Sequence, residues 1–252
     1  MFKKINRRLT KFLVRRYPNW DITIALRYLP IARDIKRNFE GGDKILDVGS
    51  GGFGLAIYLG SGYDITGTDI DFGQRREKKL KLVEASAEKL PFKDNSFDCV
   101  VSVDMLEHLP ANIRKKAIFE MIRVARGKVY ISFPRGNLST AIDKAISKYY
   151  KFTHKEELGY LMEHQKYTLP GENKVKLYIN QAARGNAKKV QITKKLNTNS
   201  LLWAGLLLLG FSEVRMLTNF YHKLLLFLPV LNLMHFWPTY RVSYFVDIKN
   251  HD

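Results

Sequence analysis

The chain has a single cysteine, Cys99, in 252 residues. A lone thiol excludes an internal disulfide framework and suits a reducing compartment. No Cys/His group has the spacing of a zinc site, so the sequence predicts no metal. Long apolar runs are missing as well. The longest, Leu201–Phe211 and Leu224–Trp237, fall short of the roughly 18–20 residues that span a bilayer. The basic N-terminus is not followed by an apolar h-region, which argues against a secretory signal. Acidic residues are scarce, 24 Asp+Glu against 42 Lys+Arg, for a formal net charge of +18. At 46% hydrophobic the chain is too apolar to be disordered, and it is long enough for one large α/β domain with elaborations.

The basic excess is uneven. Residues 1–43 carry 11 basic and 4 acidic side chains, and residues 134–200 carry 13 and 5. The stretch between them is nearly balanced, with 14 and 12. That pattern predicts a neutral catalytic core with basic attachments facing an anionic partner, or simply solvated faces. In the first twenty residues Phe2, Ile5, Leu9 and Phe12 recur at helical spacing among seven basic residues, as in a basic amphipathic helix.

Further along, helix and strand patterns alternate. Helix is predicted over Ile22–Phe39, Leu55–Leu59 and Ala111–Val124. Strand is predicted over Lys44–Val48, Ile65–Thr68, Leu80–Glu84, Cys99–Val103 and Lys128–Phe133. The alternation implies an α/β fold, a Rossmann-like and mostly parallel seven-stranded sheet with helices on both faces. Residues 1–42 read as N-terminal helices and 43–252 as the main domain. Within it lie a basic, mostly helical insertion, 137–200, and an apolar insertion, 218–239. Leu201–Leu209 reads as a buried helix, and Phe211–Leu217 with Arg241–Ile248 as a closing strand pair.

The segment Lys44–Gly54 reads as strand, tight turn and helix start. Gly49, Gly51 and Gly54 fit G-x-G-x-x-G, with Asp69 fifteen residues beyond, which invites a dinucleotide reading. Asp47, two residues before the first glycine, argues otherwise. Beside a pyrophosphate its carboxylate would repel by several kcal/mol at an effective dielectric of about 20 and ~4 Å, and beside a cation it would attract as strongly. The pattern favours a cationic nucleoside such as S-adenosyl-L-methionine. Asp69, at the end of the next strand, can accept both ribose hydroxyls, or can cap its own turn.

These residues resemble the class I S-adenosylmethionine-dependent methyltransferases, in their broad small-molecule branch. The resemblance rests on Ile45–Gly51, Gly67–Ile70, Ala87–Phe92, Asp94–Asp98, Leu106–Leu109 and Met121–Arg126. It implies that Asp47, Gly49, Ser50 and Gly51 hold the methionyl part of the cofactor, Asp69 the ribose and Ile70 the adenine face. Ser86 and Ala87 fall at the adenine edge, and Ser86 replaces the aspartate common there. A hydroxyl accepts more weakly than a carboxylate. Phe53 replaces a loop glycine, with Gly54 next to it. The insertion loosely resembles that of methyltransferases found with glycan or lipid pathways.

Methyl transfer from a sulfonium needs alignment more than acid–base help, so a base matters only for a weakly acidic nucleophile. Asp104, Glu107 and His108 follow the fourth strand: Asp104 is a further candidate cofactor contact, and His108 is the candidate base with Glu107 beside it. The alternative is that Glu107-His108 structures the loop. Glu163-His164 is a second acid–imidazole pair, with His164 a candidate substrate contact. Arg135, after the fifth strand, is a candidate for an anionic substrate group or a solvated loop residue. Aromatics at both ends of the apolar insertion suit an anionic membrane surface, a greasy mouth for a lipid-linked substrate, or core packing. RNA is the rival partner, through Lys188-Lys189 and Lys194-Lys195, but no RNA-binding module is present. The reading is therefore a methyltransferase for a small or lipid-linked hydroxylated acceptor, cytoplasmic and peripheral on the inner membrane face. An RNA methyltransferase and a catalytically silent scaffold of the same fold are the alternatives.

Overall fold

The computed structural model describes Leu13, residues 20–74 and residues 76–249. The predicted amphipathic helix, with Phe2, Ile5, Leu9 and Phe12, lies outside the described residues. The first described helix, α1 (Ile22–Asn38), starts where the Asp21 side chain accepts hydrogen bonds from the Thr23 and Ile24 amides. Its buried stripe includes Ile22, Leu26, Ile31 and Ile35. Pro30 lies inside this helix and cannot donate to the Leu26 carbonyl one turn back. That carbonyl accepts instead from Asn197 Nδ2, at 3.4 Å, so a distant strand end restores the lost bond.

After α1 come β1 (Lys44–Val48), α2 (Ala56–Leu59), β2 (Asp64–Asp69), β3 (Leu80–Glu84), β4 (Phe97–Val103), α3 (Ala111–Val124) and β5 (Ala125–Pro134). The insertion supplies α4 (Gly136–His154), α5 (Gly159–Tyr167) and α6 (Glu172–Gly185). The chain closes with β6 (Lys189–Asn199), α7 (Ser200–Gly210), α8 (Arg215–Lys223), α9 (Leu228–Leu231) and β7 (Thr239–Lys249). Strand order is β3-β2-β1-β4-β5-β7-β6. β1 to β5 pair in parallel, and β7 runs antiparallel to both β5 and β6. Strand order reverses at β1, which lies between β2 and β4. The crevice outside the carboxyl ends of β1 and β4 is thus the expected ligand position.

Two apolar layers sandwich the sheet. Ile22, Leu26 and Ile31 pack with Ile45, Val101 and Tyr130 on one face. Ile118, Met121 and Ile179 pack with Leu46, Val100 and Val129 on the other. A third cluster, Ile146, Leu161, Trp203, Leu207 and Tyr240, joins α4, α5 and α7 into a roof over one end of the sheet.

Two sequence expectations are corrected. Phe211–Leu217 is not a strand, because it forms a turn and the first residues of α8. The partner of β7 is β6, which takes the whole open edge from Lys189↔Lys249 to Asn199↔Thr239. The insertion, read as mostly helical, therefore also supplies one strand of 11 residues. Lys189, Gln191 and Thr193 alternate with Val190 and Ile192 before Lys194-Lys195 breaks the pattern, so the strand presents a weak periodic signal. Leu201–Leu209 is helical as expected but buries only one side: Leu201 is 71% exposed while Trp203 is buried.

Candidate functional site

The turn from β1 to α2 has positive φ at all three glycines of the motif, Gly49, Gly51 and Gly54. Gly49 has φ +78°, and a Cβ there would lie 2.5 Å from Met105 Cγ, so only glycine lets the loop lie against the end of β4. Gly54 does the corresponding job behind the loop, since a Cβ there would lie 2.2 Å from Asp47 Oδ2. The Asp47 carboxylate occupies the space that Gly54 leaves open, and its Oδ2 accepts from the Leu55 amide at 2.7 Å. Asp47 Oδ1 is buried without a partner. Burial, then the Asp69 carboxylate, push the Asp47 carboxyl up to about 7, against the pull of the Leu55 amide.

Asp69 ends β2 and ties the glycine turn to it: Oδ2 accepts from the Gly51 amide at 2.8 Å and Oδ1 from the Ile70 amide at 2.7 Å. A cavity of about 320 Å³ opens beside it. Its wall includes Val48, Gly49, Asp69, Ile70, Ser86, Ala87, Asp104, Met105 and His108. Of the nine residues predicted to hold the cofactor, six line this cavity. Asp47, Ser50 and Gly51 do not line it. Asp47 and Ser50 lie buried beneath the loop, with Ser50 Oγ donating to the Gly51 carbonyl at 2.9 Å.

Asp104 follows β4 in a left-handed conformation, φ +52°. Both its oxygens accept from Arg241 Nε, at 2.8 and 2.9 Å, and Arg27 Nη1 lies 3.2 Å from Oδ2. Burial alone would raise its pKa, but the two guanidiniums overcome that and hold the carboxyl below its ordinary range. Arg241 is 2% exposed and stacks over the Trp203 ring, 3.8 Å from its centroid.

A 3-10 turn, Leu106–His108, then carries the predicted Glu107-His108 pair. The second pair, Glu163-His164, arrives from α5, and the four side chains exchange partners. His108 Nδ1 lies 2.6 Å from Glu163 Oε2, and His164 Nε2 lies 3.9 Å from Glu107 Oε1. His164 Nδ1 pairs with Asp143 Oδ2 at 2.9 Å, and the Tyr240 hydroxyl donates to the other Asp143 oxygen. Arg114 holds this geometry: Nε donates to the Leu106 and Leu109 carbonyls at 2.8 and 2.9 Å, and Nη2 to those of Tyr167 and Thr168 at 3.0 and 2.6 Å. One side chain thereby ties the 3-10 turn to the end of α5. Burial, then Asp104, push the Glu107 carboxyl well above its ordinary range. Burial, then His164, hold the His108 imidazole below its ordinary value despite Glu163.

Arg135 lies elsewhere, ion-paired with Glu172 and donating to Thr239 Oγ1 at 3.4 Å. Sequence reasoning missed Arg27, Asp143, Tyr240 and Arg241. Asp143 carried a usable signal, as the one acid between Arg135 and Lys155. Arg241 carried none, because only the antiparallel pairing Pro134↔Arg241 delivers it to the end of β5.

Residues 46–133 match the methyltransferase domain family. Among curated proteins the chain is similar to demethylmenaquinone methyltransferase of Renibacterium salmoninarum, 34% identical over 99 residues, 36% of this chain and 41% of that protein. A sterol 24-C-methyltransferase of Gibberella zeae is 39% identical over 106 residues, 37% of this chain and 27% of that protein. The chain spans about two fifths of the length of the first curated relatives it matches. Among solved structures, phosphoethanolamine N-methyltransferase 2 of Haemonchus contortus, in complex with phosphomonomethylethanolamine and S-adenosylhomocysteine, superposes with a TM-score of 0.53 at 16% identity. That likeness covers 95% of this chain and 59% of the other. A methyltransferase from an antibiotic biosynthesis pathway of Anabaena variabilis gives a TM-score of 0.53 at 15% identity, over 87% and 98%. Residues 46–133 thus match a methyltransferase domain, and the chain has the Rossmann-like fold of these solved structures.

Proposed function

We propose that this protein transfers a methyl group from S-adenosyl-L-methionine to a small or lipid-linked hydroxylated acceptor at a membrane surface. The observation that carries the cofactor half is the 320 Å³ cavity at the β1–β4 crevice, with the Asp69 carboxylate in its wall. The site fits the cofactor: glycine backbone opens the approach, Asp69 offers carboxylate lone pairs for a ribose, and beneath the loop Asp47 keeps a bare oxygen for a cationic neighbour. When bound, the cofactor supplies an electrophilic methyl group on a sulfonium. The chain's own part is to orient and to exclude water. Arg27 and Arg241 neutralise Asp104 in the cavity wall, and His108, in the same wall, is the group in reach of an acceptor hydroxyl.

The membrane half rests on the apolar insertion. Met216, Leu233 and Trp237 are 73%, 72% and 79% exposed, and Phe220, Phe227, Val230 and Phe236 are each at least half exposed. That much bare apolar surface on α8, α9 and the segment after them is unusual without a partner. No helix among the described residues is long and apolar enough to cross a membrane. The basic clusters offer little to RNA. Lys188 Nζ is spent on the carbonyls of Ile122, Arg123 and Ala125, Lys194 on Glu172 and Lys195 on Asp34.

The test is a labelled-methyl assay with total cell extract, separated into organic, nucleic-acid and aqueous fractions. Label in the organic fraction supports the reading, and label in nucleic acid replaces the acceptor with RNA. Asp69→Ala should weaken S-adenosylmethionine by at least ~10-fold in calorimetry. A folded wild type that gives no binding heat would be a silent scaffold.

A further inference from the structure

We propose that Glu107, His108 and His164 bind one divalent transition-metal ion of the zinc type. One donor atom from each of the three lies within 4.8 Å of the other two, so small side-chain rotations bring all three into a single coordination sphere. Two imidazoles and a carboxylate, with positions left open, form a donor set suited to Zn²⁺, Fe²⁺ or Co²⁺ rather than to Mg²⁺.

Three observations point to a cation rather than to a packed polar cluster. First, both Glu107 oxygens and His164 Nε2 are buried without any hydrogen-bond partner. Glu107 is 0% and His164 7% exposed. Leaving such acceptors unsatisfied costs about 1–3 kcal/mol each, more for a carboxylate. Second, each imidazole already has a carboxylate on its other nitrogen, Asp143 on His164 and Glu163 on His108. That arrangement fixes the tautomer and leaves Nε2 as the free donor, as it does for metal-ligating histidines in general. Third, the nearby guanidiniums are already engaged. Arg27 and Arg241 both pair with Asp104 and Arg114 donates to backbone carbonyls, so no guanidinium hydrogen-bonds Glu107 and a cation is the partner it lacks.

A small cavity lies at the cluster, and Asp104 and His108 line both it and the 320 Å³ cavity. The open positions of the ion therefore adjoin the volume where the acceptor is proposed to bind. They fit an oxygen ligand, which would also satisfy the buried, unpartnered Arg241 Nη1 in the same small cavity. Metal binding stands on the side-chain geometry alone, whereas coordination of the acceptor oxygen rests on the proposed methyl transfer and there takes the place of His108 as the group that meets the acceptor hydroxyl.

The experiment uses the full chain, stripped with a chelator and titrated with Co²⁺, followed by visible d–d absorption and then by displacement with Zn²⁺. One equivalent of Co²⁺ per chain is expected, with the spectrum lost on adding one equivalent of Zn²⁺. Glu107→Gln should weaken binding by at least ~100-fold. Glu163→Gln, at a half-exposed position, should weaken it ~10-fold through the second shell. His108→Ala checks the same point at a site less buried than Glu107, with far-UV circular dichroism reporting the fold. Absence of a Co²⁺ spectrum in the wild type, or undiminished binding in folded His108→Ala, overturns the proposal. Calorimetry with S-adenosylmethionine on the metal-free chain keeps the two readings apart: cofactor binding without metal uptake overturns only the metal site. Metal uptake without cofactor binding leaves the site standing and removes its proposed use.

Discussion

Asp47 holds one carboxylate oxygen against the Leu55 amide and leaves the other bare, wholly out of solvent. Its folded pKa, about 7, stands above the ordinary 3.8. Between those values the unfolded chain has lost a proton that the folded chain retains. Folding stability should therefore fall as pH rises from about 4 to 7 and level off above that. Asp47→Asn should remove this slope and melt several degrees above the wild type at pH 8, read by calorimetry at both ends of the window. Equal slopes in the two proteins would place the titrating group elsewhere. The same variant should bind S-adenosylmethionine at least ~10-fold more weakly, because its neutral amide cannot attract the cofactor's cationic groups. Gly54→Ala tests the seat of Asp47 from the other side. Its Cβ falls 2.2 Å from Asp47 Oδ2 at φ +46°, so a loss of about 2–4 kcal/mol is expected in denaturant melts.

At the scale of elements, the site depends on clamps between segments far apart in the chain. Arg114 on α3 joins the 3-10 turn at 106–108 to the end of α5 through four carbonyls. Arg114→Met keeps the length of the side chain and removes every donor. Stability should drop by about 2–4 kcal/mol in urea, since several part-buried carbonyls lose their partner. Cofactor affinity should stay within ~3-fold, because Arg114 is not in the wall of the cofactor cavity. A collapse of cofactor binding in a folded Arg114→Met would show that the 3-10 turn shapes the cofactor cavity as well. The Pro30–Asn197 pairing is a second clamp of this type, in which β6 completes a helix that its own sequence interrupts.

At the scale of the whole molecule, several of the 42 basic side chains are held in internal pairs, including Arg27 and Arg241 with Asp104, Arg135 and Lys194 with Glu172, and Lys195 with Asp34. Among the described residues, the exposed apolar surface on α8 and α9 has no such partner. Co-sedimentation with anionic vesicles should recover the wild type, and Leu233→Ser with Trp237→Ser should lower the partition by at least ~10-fold. The melting temperature should hold within about 2 °C, because both side chains are already in solvent. Unchanged sedimentation in the double variant would remove the membrane from the proposed function.

Much of the architecture was legible in the chain itself. Strong periodicity marks β1 to β5, α1 and α3, and the glycine turn with Asp47 and Asp69 marks the ligand end of the sheet, because these signals are local: a turn, a cap or an alternating strand is specified within a few residues. The family resemblance over 46–133 rests on the same contiguous stretch. What lay beyond reach depends on partners distant in sequence. The open edge of β7 accepts β6 rather than Phe211–Leu217, a choice made by the whole 11-residue register. Glu107-His108 and Glu163-His164 each read as a self-contained acid–imidazole pair, yet the structure crosses them. It adds Asp143 from α4 and Arg241 from β7, and assembles three potential metal ligands from a chain whose Cys/His spacing predicts no metal site. Sequence spacing sets which residues share a strand or helix face, whereas only the docking of α5 onto the end of the sheet brings Glu163 and His164 to Glu107 and His108.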